Sequence, residues 1–220
     1  MNQLSRQLKS FLLLNILCFF VAGCAPLLPT ATPAPSVYDI GVPMALTHTS
    51  TTKDIANRDI IVISEAQVDG VENSLGIVYR YTNTLDYEPK QYRNARWSQH
   101  PAEMLRFRML QHLGEKYPVV LGADFIDKSS WMLRFTLEEF SHHLSSDTQS
   151  SGVVQIRVTL GQGGSFVGQK TFRVEVEAPS VDVQGGVSAI SRATDETLLQ
   201  IANWVDENIQ MRSNSVATSK

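Results

Sequence analysis

The sequence predicts an α+β domain, a mostly antiparallel sheet with two amphipathic helices packed on one face. Three stretches between residues 131 and 176 alternate apolar and polar residues with period two. Two other segments carry apolar stripes at 3.6-residue spacing, and Gly-rich or Asp-Gly turns separate the alternating runs. Alternation of this kind marks a sheet with one covered face and one wet face, and the helical stripes supply the cover.

In chain order, the β-branched run Asp59–Val68 predicts the first strand, followed by the turn pair Asp69-Gly70. Ile77–Tyr81 predicts a second strand, and a polar stretch leads from it to Trp97. Ser98 stands as a helix N-cap, with Pro101 and Glu103 in the first turn. Ala102, Leu105, Met109 and Leu113 then fall on one helical face before Gly114. Trp131–Phe140, Val153–Leu160 and Lys170–Val176 are the alternating strands, with residues 161–165 as a hairpin loop between the last two. A second helix is expected over Val187–Met211, striped by Ile190, Ala193, Leu198, Ile201, Val205 and Ile209.

The N-terminal end is read as a secretion leader. Arg6 and Lys9 precede twelve residues, Phe11 to Ala22, that are apolar but for Asn15. That core is shorter than the roughly 20 apolar residues a spanning helix needs, and it fits a signal peptide. Val21-Ala22-Gly23-Cys24 resembles a lipobox, in which the cysteine is diacylglycerylated before cleavage. The other cysteine, Cys18, lies within the leader, so Cys24 would have no disulfide partner in the processed chain. More than one acyl chain gives stable anchoring without a transmembrane helix. Residues 25–36 contain Pro26, Pro29, Pro33 and Pro35 and no charge, which predicts an extended spacer of roughly 35 Å. The expected organisation is a leader over 1–23, an acylated Cys24 with its tether over 24–36, a domain over 37–211 and a polar tail over 212–220.

Loss of Arg6 and Lys9 would leave 17 basic residues of 19 against 22 acidic ones. That balance excludes an electrostatic footprint for nucleic acid. No catalytic, metal or cofactor site emerges. His142-His143 cannot chelate one metal from a regular strand, where neighbours point to opposite faces, and reads as an exposed strand end. Glu138-Glu139 would point apart for the same reason. The glycines of 161–164 lack the Lys-Ser/Thr and helix start of a phosphate loop. Two features suggest a partner surface instead. Met104 and Phe107 lie opposite the buried stripe of the first helix. Tyr92, Arg96 and Trp97, with Tyr87, combine aromatics with arginine, the composition of interface hot spots. The plainer reading of Trp97 is a cap packed under the helix start.

The run Ile77-Val-Tyr-Arg-Tyr81, Leu85-x-Tyr87, Tyr92, Arg96-Trp97 and Pro101-Ala-Glu-Met-Leu105 resembles the ABC-type transport auxiliary lipoproteins, the PqiC-like family. The lipobox, early strand and amphipathic C-terminal helix follow the same order. The resemblance implies a non-enzymatic accessory to an ABC permease and ATPase with a mammalian-cell-entry-type substrate-binding protein, moving phospholipids or other hydrophobic molecules between membranes. Ala25 after the cysteine, where aspartate favours the inner membrane, implies the periplasmic face of the outer membrane. The competing expectation is a lipid- or lipopolysaccharide-binding assembly lipoprotein, with an apolar cleft between sheet and helices to hold the ligand itself.

Overall fold

A computed structural model describes residues 33–41, 59–64, 67–68, 74–85, 88–122 and 129–218. Cys24, Tyr87 and the leader lie outside them. Every element belongs to the compact unit Pro35–Lys220.

The framework is a three-stranded antiparallel ribbon. β7 (Trp131–Leu144) pairs with β8 (Ser150–Gln162), and β8 with β9 (Ser165–Glu177). Its strands form because Leu133, Phe135 and Leu137, Val154, Ile156, Val158 and Leu160, and Phe172 and Val174 all turn one way, into a single core. The β8–β9 turn is tighter than the expected loop, with Gly163 and Gly164 alone between the strands. Both have positive φ, 57° and 83°, as a two-residue hairpin turn requires.

The other edge of β7 is met in succession by β2 (Ile61–Ile63), β3 (Gln67–Val68) and β4 (Gly76–Tyr81), all running parallel to it. β2 also pairs in parallel with β6 (Val119–Leu121). β4 pairs antiparallel with β5 (Lys90–Trp97), which carries β1 (Ser36–Tyr38) in parallel on its far side. The described sheet has nine strands, and five of its eight pairings are parallel. The expectation of a mostly antiparallel sheet is therefore corrected to a mixed one, while the α+β class stands. Alternation reports which faces are covered. It is blind to strand direction, which here is set by the long crossover through α1 (Pro101–Gly114) that returns the chain to β6 and β7.

α1 and α2 (Val183–Thr218) lie over the inner face and share one core with it. The stripes are as expected: Ala102, Leu105, Met109 and Leu113 on α1, and Ile190, Ala193, Leu198, Ile201, Val205 and Ile209 on α2, are all buried. Burying the leucine, isoleucine, valine and methionine side chains among them is worth about 1.5–3 kcal/mol each. Arg108 on α1 grips Asp195 on α2 through Nε and Nη2 at 2.8 and 3.1 Å.

The helix ends differ from expectation. Ser98 does not cap α1. His100 holds that place, and the Ser98 hydroxyl donates to Asp39 at 2.8 Å, tying down the segment after β1. α2 starts four residues before Val187 because Asp182 is its N-cap, accepting from the Gly185 amide at 2.8 Å. It also runs through the residues expected to form a polar tail, to Thr218.

Candidate partner-facing surface

The five residues singled out from sequence separate into three environments. Trp97 and Met104 are core residues, 1% and 5% exposed. Trp97 packs against Phe140 with ring centroids 5.3 Å apart, as its structural reading anticipated. Met104 does not share the exposure of Phe107. It turns inward because the first turn of α1 is packed on both sides, and Pro101 and Ala102 are buried beside it. Phe107 is 48% exposed, and the Arg106 guanidinium lies 5.9 Å from its ring centroid. Arg96 is exposed on β5, opposite Val37 of β1. Tyr92 is half-buried on the inner side of the sheet, where its ring meets Tyr79 at 4.7 Å.

Met104 and Phe107 nevertheless come together at the rim of a hollow of about 290 Å³. Asp39, Ile40, Arg108, Leu110 and Gln111 are among the other residues that line it, between α1 and the chain leaving β1. A second hollow of about 300 Å³ lies at the other face, where Val62, Met132, Arg134 and Leu160 meet Phe166, which is 70% exposed. Asp39 and Arg108 line the first hollow and Arg134 the second, and among the described residues no three His, Cys, Asp or Glu side chains are placed to hold a metal. No described helix is long and apolar enough to cross a membrane.

The two polar pairs in β7 are both more engaged than sequence suggested. A bulge between Leu137 and Glu139 interrupts the alternation. Leu137 and Phe140 both face the core, so Glu138 and Glu139 both leave on the outer face rather than pointing apart. Glu138 accepts from Gln155 at 2.7 Å and from the Arg157 guanidinium. Glu139 accepts from Arg80 at 2.9 Å and from the Ser141 hydroxyl, with His143 Nε2 at 3.5 Å. Burial would raise the Glu139 pKa, but the nearby His143 ring and the bonds from Ser141 and Arg80 outweigh it and hold the carboxyl at about 2.

His142 and His143 do not form an exposed strand end. His142 is fully buried beneath the first turn of α2, its Nδ1 2.8 Å from the Tyr92 hydroxyl. Its Nε2 has no partner among the described residues. Burial, reinforced by the neighbouring His143, pushes its pKa down to about 4 from 6.5. The same burial drives the Tyr92 hydroxyl well above its ordinary range.

Above pH 6.5 the His142 ring is neutral in both folded and unfolded chains and contributes nothing. As pH falls from 6.5 towards 4 the unfolded chain takes up the proton first, so stability falls. Between pH 7.5 and 5 the expected loss is about 2 kcal/mol, read as a lowered urea midpoint. His142→Gln should flatten that pH dependence. Glu139 acts lower, its contribution vanishing as pH drops from about 4.5 to about 2.

With this geometry in place, comparison with known proteins is decisive for the family. The model of the ABC-type transport auxiliary lipoprotein component matches residues 42–202. The chain belongs to this family. Protein XCC0632 of Xanthomonas campestris, from the DUF330 family, superposes with a TM-score of 0.65 at 15% identity, over 81% of this chain and 99% of that one. An uncharacterized protein superposes with a TM-score of 0.61 at 14% identity, over 78% and 99% of the two chains. At such identities these two structures show the shared fold. No functionally curated protein matches the chain.

Proposed function

We propose that this auxiliary lipoprotein is a non-catalytic docking subunit of an ABC transporter whose substrate-binding protein is of the mammalian-cell-entry type. In this reading the multiply acylated Cys24 anchors it at the periplasmic face of the outer membrane, and residues 25–36 hold the domain off the bilayer. The cargo is phospholipid or another hydrophobic molecule passing between membranes. The family match over residues 42–202 carries the proposal. Arg96 and Phe107, both exposed, are the members of the expected partner surface available for docking.

The alternative, a lipoprotein that holds lipid in a cleft between sheet and helices, needs space that the described residues fill. Leu105, Met109, Ile190 and Ile201 from the helices and Phe135 and Ile156 from the sheet are each at most 2% exposed within one continuous core. Both hollows open elsewhere.

Cys24→Ser tests the anchor. The expected result is a shift from the membrane to the soluble envelope fraction with loss of transporter function. Retention of both membrane association and activity overturns the tether. Affinity capture of the acylated full chain should recover a mammalian-cell-entry-type protein, and its absence in envelopes containing that transporter would count against the docking role.

A further inference from the structure

We infer that the second half of β9 is a self-association edge, joining two copies of this chain through an antiparallel β9–β9′ pair centred on Val174. β9 is the last strand of the ribbon, and among the described residues no strand pairs with its outer edge. A long open edge is a template for another strand, and proteins that need it closed guard it with bulges and inward-facing charges. The first half of β9 has both guards. Its register slips between Leu160 and Gly161, and Lys170 occupies the inner-face row with its ammonium 5.0 Å from the Phe172 ring centroid. Thr171–Glu177 has neither guard.

The backbone of that segment is correctly aimed. The Ala178 amide donates to the Ser150 carbonyl at 2.8 Å, so even-numbered residues here direct their peptide groups at β8. Thr171, Arg173, Glu175 and Glu177 direct theirs outward. The Glu177 carbonyl accepts from the Arg192 guanidinium at 2.5 Å, as an outward-facing group can.

Self-complementarity selects a second copy as the occupant. A two-fold axis perpendicular to the sheet keeps every residue on its own face, so positions facing each other across it must have equal parity. Centring on Val174 sets Arg173 opposite Glu175′ and Glu175 opposite Arg173′ on the outer face. On the inner face it sets Phe172 against Val176′ and Val174 against its mate. Opposite charges and apolar pairs thus meet from Phe172 to Val176, Thr171 faces Glu177′ at either end, and Lys170 falls outside the pairing. Arg173 and Glu175 have side chains 45% and 52% exposed and charged groups 3.8 Å apart within one chain. Arg173 also donates to Gln155 at 3.3 Å and Glu175 accepts from the Ser151 hydroxyl at 2.5 Å, so each keeps one bond to β8 while turning a second face outward. The Arg173/Glu175′ pairs are then the hydrogen-bonded ones, and Val174/Val174′ is the close, non-hydrogen-bonded pair.

That geometry dictates the test. In the non-hydrogen-bonded pair, cysteines at 174 have the separation a disulfide needs. Full-length chain carrying Val174→Cys should give a reducible dimer on oxidation in envelopes, while Ser165→Cys stays monomeric. Arg173→Glu sets like charges opposite each other twice and should weaken dimerisation of the full chain in detergent by about tenfold or more, measured by light scattering. Arg173→Glu/Glu175→Arg should restore it. These surface changes leave the core intact, so the test survives if Val174→Cys fails to fold. A monomer at all concentrations, an oligomer that Val174→Cys cannot cross-link though folded, or a double variant no better than the single one overturns the inference.

Discussion

Trp97→Ala is expected to destabilise the domain by about 3–5 kcal/mol, whereas Arg96→Ala one position earlier should change stability by under about 0.5 kcal/mol. The contrast comes from the end of β5. Trp97 is 1% exposed, lies against Phe140, and sits in the core cluster with Ile77 and Leu105. Its amide donates to the Leu75 carbonyl at 2.7 Å, which fixes the backbone and prevents β5 from collapsing into the space an alanine would leave. The loss is therefore transfer energy plus a cavity that relaxes little. Urea unfolding at constant m-value measures it. Trp97→Phe should recover part of the loss. If the docking proposal is correct, Arg96→Ala and Phe107→Ala reduce recovery of the transporter partner while leaving the urea midpoint in place. A Trp97→Ala chain as stable as the parent would remove Trp97 from the core and return it to the surface reading.

The burial of Trp97 agrees with its reading as a cap under the helix start and removes it from the expected partner surface. Aromatic and arginine residues at 92–97 have the composition of an interface, but composition does not say which way a side chain points. At the end of β5 Ala95 and Trp97 are buried and Arg96 is exposed. The register of β5 against β4 slips between Gly76 and Val78, so Lys90–Arg93 and Asn94–Trp97 alternate out of phase with each other and no single period marks the strand. The same holds in β7, where the bulge after Leu137 inverts parity and places Glu138 and Glu139 on one face. The ribbon and both helical stripes are legible because Trp131–Leu137, Val153–Leu160, Lys170–Val176 and the two stripes each keep one period over most of their length. The parallel pairings of β2, β3 and β4 with β7 are not, because they depend on which distant segment closes the crossover. The start of α2 could have been found: Asp182, three residues before Gly185, is a capping signal of the usual spacing.

Gly152→Ala should cost at least about 3 kcal/mol, at the upper end for an added methyl, because the obstruction is backbone. A Cβ at Gly152 would stand 2.2 Å from the Ile190 amide nitrogen and 2.4 Å from the Ala189 carbonyl carbon. No rotamer change relieves that contact, so the first turns of α2 must lift from β8. They are held there by Ile190 and Ala193 in the core and, one turn earlier, by Gly186, where a Cβ would come within 2.4 Å of His142 Nδ1. His142 and Gly152 are cross-strand partners. The two glycines thus let one helix lie directly on two adjacent strands, and that closeness excludes water from the His142 ring. Two effects should therefore move together in Gly152→Ala. Stability falls, and the His142 pKa rises back towards 6.5 as water reaches the ring, flattening the stability profile between pH 7.5 and 5. Gly164→Ala is the control. A Cβ there meets nothing within 4 Å, and only the positive φ of 83° is strained, for a loss of about 1 kcal/mol with the pH profile unchanged. Equal losses in the two variants would show that α2 does not rest on β8 as closely as this packing requires.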